Sequence, residues 1–188
     1  MRRSIGIVLL LAGSAALVWC LTVLGSAALY QKFANWHLNN TIHTAPPAPD
    51  ASHSSPKLYD LVGRLEIPRL HVSTVILEGD DEHSLRYGAG HVPGTSLPYQ
   101  SGNVAIAAHR DTFFRPLRKI KPLDRIRLTT PRGSYDYVVE STEIVPPDDV
   151  RVLRTSARSE LTLITCYPFY FIGPAPKRFI VHARRVHL

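Results

Sequence analysis

Cysteine is scarce in this chain: 188 residues carry two, Cys20 and Cys166. Cys20 lies inside an apolar run, so Cys166 has no intramolecular partner on an exported domain, and a disulfide-stapled fold is excluded. A lone exported thiol is a buried passenger, half of an intermolecular bridge, or a nucleophile. Charged side chains are absent from residues 5–30. Internal repeats are absent as well, which excludes a solenoid. Nine histidines are present, but none forms a His-x-x-x-His pair with a neighbouring acid, so no resident transition metal is expected. The net charge of +7 is spread along the chain and not gathered in a basic arm. No nucleic-acid motif accompanies it, so the expected partner of a basic surface is anionic lipid or wall polymer, not nucleic acid.

The uncharged run IGIVLLLAGSAALVWCLTVLGSAALY is long enough to span a bilayer, which takes about 20 apolar residues. Arg2 and Arg3 precede it. Cationic flanks stay on the cytoplasmic side, so a single-pass anchor in the cell membrane with an exported C-terminal part is expected. Membrane lipid is then a partner through that anchor. A cleaved signal peptide is the competing reading, with Ser26-Ala27-Ala28 as its small-residue site. The apolar run exceeds the roughly 7–15 residues such a signal uses. A lipoprotein cysteine at Cys20 is disfavoured by Val18-Trp19 before it.

Three parts follow: a cytoplasmic stub and membrane anchor over residues 1–30, an extracellular tether over 31–57, and one folded domain over 58–188. Residues 39–56 hold Pro46, Pro47, Pro49 and Pro56 among small polar residues and predict an extended segment. Beyond residue 58 short alternating or β-branched runs appear at 61–67, 71–77, 124–129, 134–140, 160–165 and 178–183. The apolar run 103–108 suits a strand buried on both faces and ends at His109. Residues 88–98 carry three glycines and two prolines and predict a loop. Thr112 is placed to cap a short helix through Phe114, Leu117 and Ile120. At least seven short strands with brief helices predict a mainly β fold, a closed or nearly closed barrel. The acids Glu78, Asp80, Asp81 and Glu82 suit either a calcium site or, preferably, a solvated helix start.

Cys166 directly follows a strand, which displays it at a barrel rim. The loop after it, residues 167–176, is rich in aromatics and proline and suits the wall of a groove. A free thiol ionises at about 8.5, so a cysteine nucleophile needs a partner that makes or stabilises the thiolate. His109, also at a strand end before a polar turn, is the best-placed histidine. Acyl transfer further needs a cation or donors for a developing oxyanion. Arg178 re-enters the sheet twelve residues after Cys166, on the same rim if the intervening loop is a hairpin. Asp111 orients His109 or serves only the turn. Thr165, Tyr167 and Phe169 contact substrate or simply pack.

Thr162-Leu163-Ile164-Thr165-Cys166 resembles the T-L-x-T-C signature of sortases, the membrane-anchored cysteine transpeptidases of bacterial surfaces. Residues 103–109 resemble the family's catalytic-histidine strand, Arg178 its catalytic arginine, and residues 63–68 its opening strand. His109-Arg110-Asp111-Thr112-Phe113-Phe114 and Cys166-Tyr167-Pro168-Phe169 look most like class D. The resemblance implies an eight-stranded sortase barrel. It also implies Cys166, His109 and Arg178 as catalytic residues acting on an L-P-x-T-[G/A] sorting signal. The acyl group then passes to an amine such as a peptidoglycan stem peptide or a pilin lysine, with no cofactor required. Two rivals remain open: a secreted cysteine hydrolase with the same triad, and a non-enzymatic membrane-tethered barrel that binds a partner through its aromatic loop.

Overall fold

The alternation of residues 61–67 becomes strand β1 (Leu61–Ile67), with Leu65 and Ile67 fully buried. In this computed structural model, residues 2–44, 56–155 and 157–186 are described. The remaining strands are β2 (Val72–Glu78), β3 (Ala89–His91), β4 (Asn103–Ala107), β5 (Arg125–Thr130), β6 (Gly133–Val145), β7 (Glu160–Tyr167) and β8 (Lys177–Val186). They close in the order β1-β2-β3-β4-β7-β8-β6-β5, with β5 returning to β1. The β2–β3 and β4–β7 pairs are parallel and the others antiparallel. Closure removes the exposed sheet edges that short strands would otherwise leave open.

The barrel interior is filled by large apolar side chains from every wall, among them Leu65, Ile76, Ile106, Leu128, Leu163 and Val181. Tyr137 is fully buried among them, and its hydroxyl has no partner. Burial pushes its phenol up to about 12. Outside the barrel, hydrogen bonding from the Arg69 guanidinium holds the Asp124 carboxyl below the usual carboxylate range.

Several local expectations are refined. Asp81 caps the short helix α2, which follows the long N-terminal helix α1 (Arg2–Thr44), by accepting from the His83 amide at 2.8 Å; α2 is Glu82–Tyr87. The run through Phe114 and Leu117 forms a 3₁₀ helix (Arg115–Lys119) instead of an α-helix. Its three-residue period places Phe114 and Leu117 one above the other in the core. The expected loop at 88–98 conceals the three-residue strand β3, which is too short and glycine-rich to carry a β signature.

Residues 31–44 depart from the extended reading of the tether. The first proline is Pro46, so nothing earlier breaks helix α1. Gln31, Ala34, Asn35 and Leu38 recur at helical spacing, and Ala34 and Leu38 are buried. The Gln31 carboxamide donates to the Tyr87 carbonyl at 2.6 Å and accepts from the Val75 amide at 3.1 Å. Arg64 donates to the Asn39 side chain at 3.2 Å. Residues 45–55 of the expected tether lie outside the described residues. The first half of α1 is apolar and exposed, Leu10 at 70% and Trp19 at 71%, and is long enough to cross a membrane.

Candidate active site

Two neighbouring strands bring Cys166 and His109 to one level. β4 and β7 run parallel, pairing Ile106 with Leu163 and Ala107 with Ile164. Continued two residues further, the same register sets His109 opposite Cys166. The backbone holds that alignment past the ladder's end. The Ala108 amide donates to the Ile164 carbonyl at 3.1 Å, and the Thr165 hydroxyl donates to the Ala108 carbonyl at 2.8 Å. Thr165 is buried, so this bond fastens the two strand ends where water does not compete.

On the other side of β7, the antiparallel register pairs Cys166 with Arg178. A directly opposed pair lies on one face of the sheet, with Cβ atoms about 4.5–5.5 Å apart. The Arg178 guanidinium is turned to backbone oxygens, donating to the Lys177 carbonyl at 3.2 Å and the Ala175 carbonyl at 3.4 Å. Among the described residues no carboxylate pairs with it, so its charge is available to an incoming anion. Cys166, His109 and Arg178 are all half-buried and open on one groove of 360 Å³.

The wall opposite the thiol comes from the β6–β7 connection: Val145, Pro146, Pro147, Val150, Val152 and Leu153. A 3₁₀ turn (Val150–Leu153) shapes it, capped by the Asp149 side chain. Arg151 braces the turn, reaching Glu143 at 2.9 Å and Asp149 at 3.2 Å, and its hydrogen bond lowers the Glu143 carboxyl below its ordinary range. From beneath, Asn103 donates to the Val152 carbonyl at 3.0 Å while accepting from Thr162 at 2.9 Å. Asp80 and Leu85, which flank the start of α2, complete the rim.

The other residues singled out from sequence are placed differently. Thr165 lines the groove. Tyr167 and Phe169 pack with Phe179 at ring distances of 6.4 and 5.3 Å, and neither lines the groove. Asp111 is exposed in the turn after His109 and also lies outside the groove. In the acidic group, Glu78 meets buried His91 at 2.7 Å and Asp81 caps α2. Among the described residues no three His, Cys, Asp or Glu side chains converge on a metal position.

Arg110 escaped the sequence reading. Its guanidinium donates to the carbonyls of Pro168 at 3.0 Å, Phe171 at 2.8 Å and Gly173 at 3.0 Å. It thereby clasps the loop that follows Cys166 to the segment that carries His109. The only signal in the chain is its adjacency to His109. The groove wall at 145–153 was equally hidden, although Pro146-Pro147 marks a stiff turn.

The Sortase family model, a sortase domain, matches residues 65–186. The chain belongs to the sortase family. It is 34% identical over 149 residues to Sortase D of Bacillus subtilis, covering 79% of this chain and 75% of that one. It is 26% identical to Sortase A of Bacillus anthracis over 156 residues, 81% and 72% of the two chains. In fold it is similar to a Sortase D5 transpeptidase of Clostridium perfringens, with a TM-score of 0.74 at 24% identity, covering 84% of this chain and 99% of that chain. This sortase therefore has the closed eight-stranded barrel of its family and is a cysteine transpeptidase. Sortases act on sorting-signal proteins and amine acceptors, and the apolar half of α1 fits a membrane anchor.

Proposed function

We propose that this sortase cleaves an L-P-x-T-type sorting signal after its threonine and passes the acyl group to an amine of the cell wall or of another surface protein. A peptidoglycan stem peptide and a pilin lysine are the two acceptor chemistries that fit. The convergence of Cys166, His109 and Arg178 from three strands onto one groove carries this reading.

The Cys166 thiolate attacks the threonine carbonyl carbon, and the carbonyl oxygen becomes an oxyanion facing Arg178. Collapse of this intermediate breaks the C–N bond as the His109 imidazolium gives its proton to the leaving amine. A thioester on Cys166 remains. The acceptor amine then attacks the thioester carbonyl and gives its proton to neutral His109. The C–S bond breaks, a new amide leaves, and the thiolate–imidazolium pair is restored. Splitting amide exchange into two displacements replaces one difficult step by two easier ones. The apolar wall at 145–153 takes the leucine and proline of the signal, and Arg178 holds the oxyanion or the adjacent backbone. The reaction as written draws on side chains alone. Residues 1–30 hold the enzyme in the cell membrane with the N-terminus in the cytoplasm, because Arg2 and Arg3 resist export.

The test is partition of the acyl-enzyme. The full chain in detergent is given an L-P-x-T-A peptide with and without an added amine. The amide product should grow with amine concentration at the expense of hydrolysis. Product formation indifferent to the amine would make the enzyme a hydrolase.

A further inference from the structure

The membrane helix of this sortase is not merely attached to the barrel by its chain. Three observations combine. First, α1 continues unbroken from its apolar half into a docked half whose Gln31, Ala34 and Leu38 face the barrel. The Gln31 carboxamide satisfies a backbone donor and a backbone acceptor of the barrel at once, and Asn39 holds Arg64. Gly88 keeps this seat open: a Cβ there would stand 2.6 Å from the Val75 carbonyl oxygen and 3.3 Å from the Gln31 amide nitrogen.

Second, the junction falls at the membrane surface. A hydrocarbon core takes about 20 residues of helix, so a span entered near residue 5 emerges near residues 25–30. There Tyr30 packs on Tyr87 at 5.1 Å, and Ser26, Leu29, Phe33 and His83 line a shared, wide-open notch. Phe33 and Trp36 are 63% and 60% exposed, and Arg86 lies over the Tyr87 ring at 6.0 Å. Aromatic and cationic side chains at the outer end of a spanning helix match the chemistry of the headgroup layer.

Third, α2 has two neighbours. His83 and Tyr87 meet the emerging membrane helix, whereas Leu85 lines the groove that holds Cys166. One helix diameter, about 10 Å, therefore separates membrane stalk from groove.

We propose that the face built by α2 and the outer part of α1 is seated on the phospholipid headgroups of the outer leaflet, holding the Cys166 groove at a fixed low height above the bilayer. The substrate class follows, resting on the sorting-signal reading above. The enzyme takes membrane-inserted proteins whose signal lies within a few residues of their own apolar segment. Signals carried far from the membrane are held out of reach by the rigid stalk.

The test uses the full chain in vesicles of phosphatidylcholine and phosphatidylglycerol. A fluorophore is placed at Arg86→Cys in a Cys20→Ser, Cys166→Ala background, with nitroxide on the lipid headgroups. Strong quenching is expected, and its loss in the undocked variants Gln31→Ala and Leu38→Asp. The same vesicles then carry signal peptides joined to an apolar spanning segment by flexible linkers of increasing length, with Cys166 restored. The docked enzyme should favour the shortest linkers by about tenfold, and undocking should flatten that preference. Turnover of a soluble L-P-x-T peptide should be equal in docked and undocked enzymes, which also certifies that both are folded. An unquenched probe at position 86, or a linker profile unchanged by undocking, overturns the seat. Failure on soluble peptide by every variant would instead strike at the sorting-signal reading.

Discussion

Cys166 and Arg178 are directly opposed residues of the antiparallel β7–β8 ladder. The pairing delivers a permanent cation beside the thiol through main-chain register alone, so neither residue needs a long flexible approach. Arg178→Ala should lower turnover of an L-P-x-T peptide about 100- to 1,000-fold, the cost of losing an oxyanion donor. Circular dichroism should be unchanged, because Arg178 is only half-buried and meets only backbone oxygens. Arg178→Lys should recover a small part, since an ammonium lacks the planar fork.

Arg110 makes three charge-assisted hydrogen bonds to carbonyls of the loop after Cys166. Arg110→Ala should free residues 168–173 to exchange amide hydrogens and reduce kcat/KM about tenfold or more, since hydrogen bonds to a charged group contribute about 1.5–3 kcal/mol each. Arg110→Lys should restore part of the protection, with one or two of the three carbonyls held. Hydrogen exchange read by mass spectrometry, beside steady-state kinetics, measures both effects.

Long alternating runs and strand-end chemistry were legible before any coordinates. β1, β2, β4, β5, β7 and β8 lie where alternation or apolar runs place them, and Cys166, His109 and Arg178 meet as the motif order implied. What stayed hidden depends on contacts distant in sequence. β3 gains its identity only from pairing with β2 and β4, since Ala89-Gly90-His91 has no strand propensity of its own. The docked half of α1 is polar in composition, and only the barrel surface reveals that Ala34 and Leu38 are core residues. The groove wall is supplied by the β6–β7 connection and not by the aromatic loop, because Phe169 is spent on packing against Phe179.

Gly90 sits where β3 passes the turn after β2. A Cβ at this position would stand 2.1 Å from the Gly79 carbonyl oxygen, and both atoms belong to backbone within the closed sheet. Gly90→Ala should therefore destabilise the domain by about 1–3 kcal/mol or more, the cost of overpacking a rigid site. Thermal unfolding compared with a surface control such as Arg132→Ala gives the difference.

Alkaline stability should carry the signature of Tyr137, whose phenol is pushed up to about 12 by burial. An unfolded tyrosine ionises near about 10. Below that pH both states hold the proton and stability is unaffected. Above it the unfolded state alone releases the proton, so stability should fall until the folded phenol also titrates. The loss is on the order of 2–3 kcal/mol across that window. Tyr137→Phe should flatten this part of the curve without loss at neutral pH, since the hydroxyl has no hydrogen-bond partner to forfeit. Denaturant titrations at increasing pH measure it.

The central claim is that Cys166 carries the acyl group. Intact-protein mass spectrometry of the enzyme mixed with an L-P-x-T-A peptide, quenched in acid, tests it most directly. An adduct with the mass of the peptide up to its threonine should appear on the Cys166 peptide, be released by hydroxylamine, and be absent in Cys166→Ala. Cleavage of the peptide by Cys166→Ala, or an adduct on any other residue, would contradict the account.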